Sequence, residues 1–346
     1  MKNLKYLLIP VALIIFLLLF LWWPAVKRQP LDVTSGDKLR SEQIGATNNI
    51  PTVPSRPIPE IKSSFPFTFV IFGDSRKSAA VEETVLKRVD HARPHIIRKI
   101  AEQNPLFIIN TGDLVYQGSD EDDWVEFEQQ NKIFKDRNIP YYPVLGNHEY
   151  KGRDKKALAK YFQRFPHLDN QKWYSFQKNN CFFVMLDSNF DELEDEELDR
   201  QKQWLAEKLN QAEQDQAVDF IFACFHHPPF TNSKMHKDNK GVRDHFLPIF
   251  EKSLKLKFVF NGHIHLYERF KEKHINYIVT GGGGAPLMKL KKEDQREYQD
   301  EYKKDEPRGT HFCLLTVLND KIQLKTLHLD PDKLTWEDGD FLEVQR

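Results

Sequence analysis

Apolar stretches rich in β-branched and aromatic residues recur along the chain, and glycine, proline or polar residues bound them. Such stretches are typical of buried β-strands. They predict strands at residues 67–72, 106–110, 141–145, 182–186, 220–225, 257–260 and 276–280. Two runs with apolar alternation, residues 312–318 and 322–327, flank Asn319-Asp320 and predict a closing hairpin.

Segments with helical spacing of apolar residues and plausible caps alternate with these strands. They predict helices at residues 78–89, 94–103, 120–136, 154–164, 196–212 and 242–253. Trp204, Leu205 and Leu209 form the apolar stripe of a helix that covers a sheet. This combination of predicted strands and helices indicates an α/β fold with two packed mixed β-sheets flanked by helices.

Side chains with metal-binding atoms follow five of the predicted strands. These residues are Asp74, Asp113, Asn147, His226, His263 and His265. Ligands of open α/β sheets bind just beyond the carboxyl ends of the strands, so these side chains are expected to share one site. Glycine precedes four of the clusters and allows the sharp turns that aim them at a common point.

Each cluster alone has an ordinary explanation as a turn, a loop or a buried histidine. Their joint occurrence at strand ends, with oxygen and imidazole ligands and without cysteine, favours a binuclear metal site instead. The glycine loop at residues 281–284 lacks the lysine and the following helix of a P-loop. It predicts a tight turn that passes close to the site.

The run Gly262-His263-Ile264-His265-Leu266-Tyr267-Glu268-Arg269 resembles the calcineurin-like metallophosphoesterases, and the resemblance extends over residues 67–279. Within that family the chain is most similar to the purple acid phosphatases. Tyr116 stands three residues after Asp113, as the iron-binding tyrosine does there. Many other family members carry a ligand histidine where this chain has Arg76, and a guanidinium cannot bind a metal.

The resemblance implies the αββα metallophosphoesterase sandwich and two metal ions per chain, bridged by Asp113. The first ion would be held by Asp74, Asp113, Tyr116 and His265, and the second by Asp113, Asn147, His226 and His263. Phenolate and carboxylate ligands suit a hard trivalent ion, whereas the second set suits a divalent ion. We therefore expect Fe(III) together with zinc, iron or manganese.

Three further residues are candidates for substrate contact. The resemblance assigns His148 to gripping phosphate and assisting the leaving oxygen, a role that an imidazole can fill near neutral pH. His236 is either a substrate-contacting histidine or an exposed loop histidine. Arg76 could clamp a phosphate oxygen with its fork of donors, or it could form a surface ion pair.

The leading functional hypothesis is hydrolysis of phosphate monoesters by a metal-bound hydroxide, with His148 assisting the leaving group. A phosphodiesterase acting on nucleotides or lipid head groups would use the same residues and differ only in its pocket. A catalytically inactive, metal-binding interaction module is a third hypothesis. The complete ligand set and His148 argue against the third hypothesis.

The N-terminus predicts attachment to a membrane. Residues 6–26 are apolar throughout and long enough to cross a hydrocarbon core of about 30 Å as a helix. Lys2 and Lys5 precede them, and no small-x-small cleavage site follows. We expect an uncleaved anchor or signal segment at residues 1–28, a flexible tether at 29–64, and a catalytic domain at 65–346 on the periplasmic or extracellular side.

Composition excludes some alternatives. The 346 residues carry a formal net charge of −1, and the charged residues are mixed along the chain, so no nucleic-acid partner is expected. Cys181, Cys224 and Cys313 lie in apolar runs, which predicts buried free thiols. Their odd number and wide spacing argue against a disulfide framework.

Overall fold

The computed structural model describes residues 64–79, 82, 86–152, 154–304 and 308–346. The strands within this part are β1 (Phe67–Phe72), β2 (Ile108–Asn110), β3 (Tyr141–Pro143), β4 (Tyr174–Lys178), β5 (Cys181–Met185), β6 (Phe220–Cys224), β7 (Leu256–Asn261), β8 (Tyr267–Glu272), β9 (Ile275–Thr280), β10 (His311–Val317), β11 (Lys321–Asp330) and β12 (Thr335–Gln345). They form two mixed sheets of six strands each.

The first sheet has the order β12-β11-β10-β1-β2-β3, and the second has the order β4-β5-β6-β7-β9-β8. In the first sheet β1, β2 and β3 are parallel, whereas β10, β11 and β12 form an antiparallel meander joined to β1. In the second sheet β5, β6, β7 and β9 are parallel, with β4 and β8 antiparallel at the edges. Each sheet therefore presents several strand carboxyl ends at one edge.

Aromatic side chains fill the space between the two sheets. Phe69 of β1 stacks on Phe107 at a centroid distance of 4.8 Å, and it meets Phe183 of β5 and Phe222 of β6 edge-on at 5.4 and 5.5 Å. Offset and edge-to-face contacts at these distances are favourable for aromatic rings. The sheets are thus held against each other by a buried aromatic layer.

Helices pack against both sheets. Their bounds are α1 (Arg93–Glu102), α2 (Glu121–Gln130), α3 (Lys132–Asp136), α4 (Asp154–Arg164), α5 (Asp195–Gln214), α6 (Lys240–His245) and α7 (Leu247–Phe250). Short 3₁₀ turns occur at Asp90–Ala92, Pro166–Leu168, Phe190–Glu192 and Glu293–Gln295. Ile96 and Ile100 of α1 join a buried cluster with Val70 on the first sheet, and Leu205 and Leu209 of α5 join one on the second.

The predicted α/β architecture, the central strands and the closing hairpin are confirmed. Helix α4 has its predicted bounds, and α5 carries the predicted apolar stripe. The predicted helix at 242–253 is divided into α6 and α7, because Pro248 has no N–H to continue the ladder. All three cysteines are buried and unpaired, as expected.

The predicted helix at residues 78–89 is wrong at both ends, because residues 78–79 and 86–89 are not helical, whereas residues 80–81 and 83–85 lie outside the described residues. Tertiary contacts hold the two described ends. The Ser78 N–H and hydroxyl bond to the Asp90 carboxylate at 3.0 and 2.9 Å, and Lys87 forms an antiparallel bridge with Leu287. Strands β4, β8 and β12 were not predicted, because β4 offers only two apolar residues and polar or charged residues interrupt the apolar alternation of β8 and β12.

The predicted anchor at residues 1–28 and all but the last residue of the predicted tether lie outside the described residues. Within the residues that the structure does describe, no helix combines the length and the apolar character needed to cross a membrane. Both N-terminal assignments therefore stay predictions.

The aromatic layer predicts a large loss of stability on truncation. Replacing fully buried Phe183 by alanine is expected to lower the free energy of unfolding by about 3–5 kcal/mol, because transfer and cavity terms add. Urea denaturation measures the change. The matched control is Phe341→Ala, because that side chain is 59% exposed and should cost less than about 1 kcal/mol. Equal effects of the two variants would contradict this account of the core.

Candidate metal centre

Two aspartates turn sharply out of the first sheet. Asp74 follows β1 and Asp113 follows β2, and both have a positive φ, of 58° and 56°. The Asp74 N–H donates to the Gly112 carbonyl at 2.9 Å, which ties the two loops together. Gly112 has a φ of 94°, and a Cβ there would lie 2.7 Å from the Gly146 nitrogen. Glycine is required at this close approach of two loops.

One group of candidate ligands lies around Asp74. Its carboxylate accepts the backbone N–H of His263 at 3.1 and 2.9 Å, and His265 Nε2 lies 3.4 Å from its Oδ1. His265 Nδ1 donates to the Pro286 carbonyl at 2.7 Å. That bond fixes the ring so that Nε2 faces the carboxylate.

A second group gathers around Asn147. Its Oδ1 lies 3.1 Å from His226 Nε2 and 3.0 Å from His263 Nδ1. His226 Nε2 is also 3.3 Å from Asp113 Oδ1, while its Nδ1 donates to the Thr111 carbonyl at 2.8 Å. Ligand atoms of Asp74, Asp113 and His226 lie within 4.8 Å of one another. The structure therefore brings together six of the seven predicted ligands around one point.

The electrostatics of this cluster suit a cation. Burial raises the pKa of Asp113, but the nearby His148 and His226 outweigh that effect and hold the pKa well below its ordinary value. Burial lowers the pKa of His226, but the charge of Asp113 prevails and raises it to about 9. Metal ligation needs a deprotonated imidazole nitrogen, so a bound cation would replace this proton. The donor set and its charge balance fit metal ions.

His148 lies at the edge of the cluster. Its Nδ1 donates to the Tyr116 carbonyl at 2.5 Å, and its Nε2 is 3.7 Å from Asp113 Oδ2. The ammonium of Lys151 lies 2.7 Å from the same Nε2. Burial, with further contributions from the charges of Arg76 and Lys151, lowers the pKa of His148 to about 3 in spite of Asp113.

Tyr116 and Arg76 lie side by side near His148. The Tyr116 ring centroid is 5.2 Å from the His148 ring, and the Arg76 guanidinium lies 5.6 Å from the Tyr116 ring. The two terminal nitrogens of Arg76 bind the Glu82 carboxylate at 2.9 and 2.6 Å. The guanidinium donors that were expected to bind a phosphate oxygen are therefore occupied by Glu82. The iron-ligand role of Tyr116 and the phosphate role of Arg76 stay predictions.

His236 approaches the cluster from a solvent-exposed loop. Its ring centroid lies 4.8 Å from that of His263, although the side chain itself is exposed. The glycine loop behaves as predicted, because a Cβ at Gly281 would lie 2.7 Å from Asp74 Oδ2. His236 is therefore an exposed loop histidine close to His263, and its contact with substrate stays a prediction.

Sequence analysis assigned no role to three residues that the structure places here: His227, Glu149 and Lys151. His227 joins His226 and His263 in a second group of converging ligand atoms, and its Nδ1 contacts the Ser188 hydroxyl at 3.0 Å. The adjacent histidine pair was the available signal for it. Apart from their closeness to His148 along the chain, nothing in the sequence indicated that Glu149 and Lys151 lie at the site.

The buried carboxylate of Glu149 connects the loops that follow β2 and β3. It accepts the backbone N–H groups of Asp113, Leu114 and Gly146, each at 2.8 Å, and that of Val115 at 3.3 Å. Burial and the charge of Asp113 raise the pKa of Glu149 to about 7. Glu149 therefore holds the backbone that aims Asp113 and Asn147.

Two mixed sheets in a sandwich, with aspartate, asparagine and histidine ligands at their strand ends, define a metal-dependent phosphoesterase fold. The family model of the calcineurin-like phosphoesterases matches residues 67–267. The chain belongs to this family.

Purple acid phosphatases are among its relatives. It is 25% identical to the phosphoenolpyruvate phosphatase of Allium cepa, covering 66% of this chain and 47% of that protein. It is 23% identical to purple acid phosphatase 22 of Arabidopsis thaliana, covering 64% and 51%. The structure superposes on a purple acid phosphatase from yellow lupin (Lupinus luteus) seeds with a TM-score of 0.61 and 18% identity, covering 82% and 54%. The chain thus spans about half the length of these relatives.

The backbone hydrogen bonds that Glu149 accepts predict that its loss will lower both stability and metal binding. Glu149→Ala leaves four buried N–H groups without their acceptor, and it should lower the free energy of unfolding by about 3 kcal/mol or more. Metal bound per chain should fall in parallel, since the loops lose their positions. Urea denaturation and elemental analysis measure the two effects. Exposed Glu272→Ala is the control, and matching results for both variants would refute the anchoring role.

Proposed function

We propose that this chain is a metal-dependent phosphomonoesterase of the purple acid phosphatase type. The observation that carries the proposal is the convergence of carboxylate, amide and imidazole ligands from both sheets, with His226 and His265 oriented by their carbonyl partners. Membership of the calcineurin-like phosphoesterase family supports it, as do relatives whose names describe phosphatases. The substrate would be a phosphate monoester.

The residues proposed for the first ion are Asp74, Asp113, Tyr116 and His265, and those proposed for the second are Asp113, Asn147, His226 and His263. Fe(III) with zinc, iron or manganese is the proposed pair. When bound, such ions polarise phosphate oxygens and lower the pKa of water.

Side chains of the protein would position the substrate. His148 is held through Nδ1 by the Tyr116 carbonyl, and its Nε2 lies 3.7 Å from Asp113 Oδ2. A phosphate dianion bound beside it would favour protonated His148, and Nε2 would then donate that proton to the departing oxygen. His236 would contact the substrate from the opposite loop, near His263.

We also propose that residues 1–28 tether the enzyme to a membrane, with the catalytic domain on the periplasmic or extracellular side. The apolar stretch at residues 6–26 and the lysines before it support this proposal. A fusion reporter on either side of the segment tests the orientation.

The metal assignment predicts a spectroscopic signature. The purified protein should bind two metal ions per chain and show a visible band from iron-tyrosinate charge transfer, which Tyr116→Phe should abolish. Tyr298→Phe is the control, because that ring lies away from the cluster, against Phe230 and Phe270. Two metals without such a band would overturn the iron-tyrosinate assignment. Absence of bound metal would overturn the whole proposal.

The role of His148 predicts a kinetic effect. His148→Ala should lower kcat for p-nitrophenyl phosphate about 10²–10⁴-fold, in the range for loss of a group that transfers protons. Metal content should stay normal, because His148 is not a ligand. His274→Ala is the control, since that imidazole bonds to the distant Ser253 carbonyl. Unchanged kcat in His148→Ala would refute the role.

The same assays separate the alternative functions. Faster turnover of bis(p-nitrophenyl) phosphate than of the monoester would indicate that the protein is a phosphodiesterase instead. Full metal content without hydrolysis of either ester would indicate the catalytically inactive interaction module.

A further inference from the structure

Lys151 lies in the site without a role in the scheme above. A turn holds its backbone, since its N–H donates to the His148 carbonyl and its carbonyl accepts the Ser119 N–H, both at 3.1 Å. The half-buried side chain points back over His148. Its ammonium lies 2.7 Å from His148 Nε2, 3.0 Å from Nδ1 and 5.1 Å from the Tyr116 ring centroid.

The charge of Lys151 lacks a direct counterion. Nearby cations are paired: Arg76 binds Glu82, Lys77 binds Asp123 and Lys172 binds Glu197. Lys151, in contrast, forms no ion pair with any carboxylate among the residues that the structure describes. Burial and the charge of Arg76 lower the pKa of Lys151. An ammonium withdrawn from water without a partner gains more than an exposed one from an arriving anion.

The neighbouring imidazole shows where that anion would bind. His148 Nδ1 is committed to the Tyr116 carbonyl, while its Nε2 lies 2.7 Å from the ammonium of Lys151 and 3.7 Å from Asp113 Oδ2. A phosphate oxygen beside Nε2 would accept from the ammonium, and also from Nε2 once the charge of the phosphate has favoured protonated His148. Charge-assisted hydrogen bonds of this kind are stronger than neutral ones.

We propose that Lys151 binds the phosphate group of the substrate and selects doubly charged phosphate monoesters over singly charged diesters. This inference rests on the proposed phosphatase function and deepens it. Near neutral pH a monoester phosphate carries close to two negative charges, and a diester carries one. Coulomb attraction to the ammonium scales with that charge, so removing it penalises the monoester more.

The test compares Lys151→Met with Lys156→Met, which removes the same charge from an exposed lysine five residues further along the chain. We expect kcat/KM for p-nitrophenyl phosphate to fall about tenfold or more in Lys151→Met, and that for bis(p-nitrophenyl) phosphate about threefold or less. The monoester-to-diester ratio should therefore fall. Lys151→Arg should restore most of it, because it keeps the charge.

Binding of inorganic phosphate gives a readout without turnover. Titration calorimetry near pH 8 should show a Kd about tenfold higher for Lys151→Met and an unchanged Kd for Lys156→Met. Melting curves confirm that each variant is folded, and Lys151→Gln replaces the methionine variant if that one does not melt cooperatively.

Equal losses on both esters, no loss on either, or unchanged phosphate affinity would overturn the inference about Lys151. Wild-type protein that binds phosphate but hydrolyses neither ester would overturn the proposed function instead. In that case the calorimetric comparison still decides whether Lys151 binds the anion.

Discussion

The site depends on one buried carboxylate that lies outside the proposed set of metal ligands. Glu149 accepts backbone N–H groups from both the loop after β2 and the loop after β3. Because the N–H of Asp113 is held in this way, its side chain turns toward the His226 imidazole, and its Oδ1 in turn accepts the His148 N–H at 3.0 Å. The positions of these groups therefore follow from a small number of bonds to one residue, made where no water competes for the acceptor.

The aromatic layer between the sheets supplies the second constraint. Asp74 and Asp113 follow strands of the first sheet, whereas His226 and His263 follow strands of the second. The contacts among them cross from one sheet to the other, so their distances depend on how closely Phe69, Phe183 and Phe222 let the sheets approach. Close-packed aromatic rings deform little, which makes the interface a firm base for a site that needs fixed distances.

Negative and positive charges occupy different parts of the site. Ionised Asp113 and its imidazole neighbours form a centre that favours cations, while Arg76 and Lys151 place positive charge beside the Tyr116 ring. Arg76 is neutralised by Glu82, and Lys151 has no such partner among the described residues. In the proposed phosphatase function, a phosphate ester would carry negative charge outward from the cluster, and the arrangement would offer complementary charge on both sides of it. The paired arginine and the unpaired lysine thus differ in what they are free to bind.

The sequence alone determined the α/β class, the central strands, the buried thiols and the types of candidate ligand, because local apolar patterns encode burial and side-chain chemistry is explicit. Only the tertiary structure decided that residues 86–89 are not helical, that edge strands such as β12 pair in spite of their charges, and that Glu149 and Lys151 meet the site. Local periodicity carries no information about which distant backbone groups a side chain will reach. The distance between a side chain and a remote backbone group is set by long-range packing. Where side-chain hydrogen bonds hold a loop, that packing outweighs the local conformational preference of the loop.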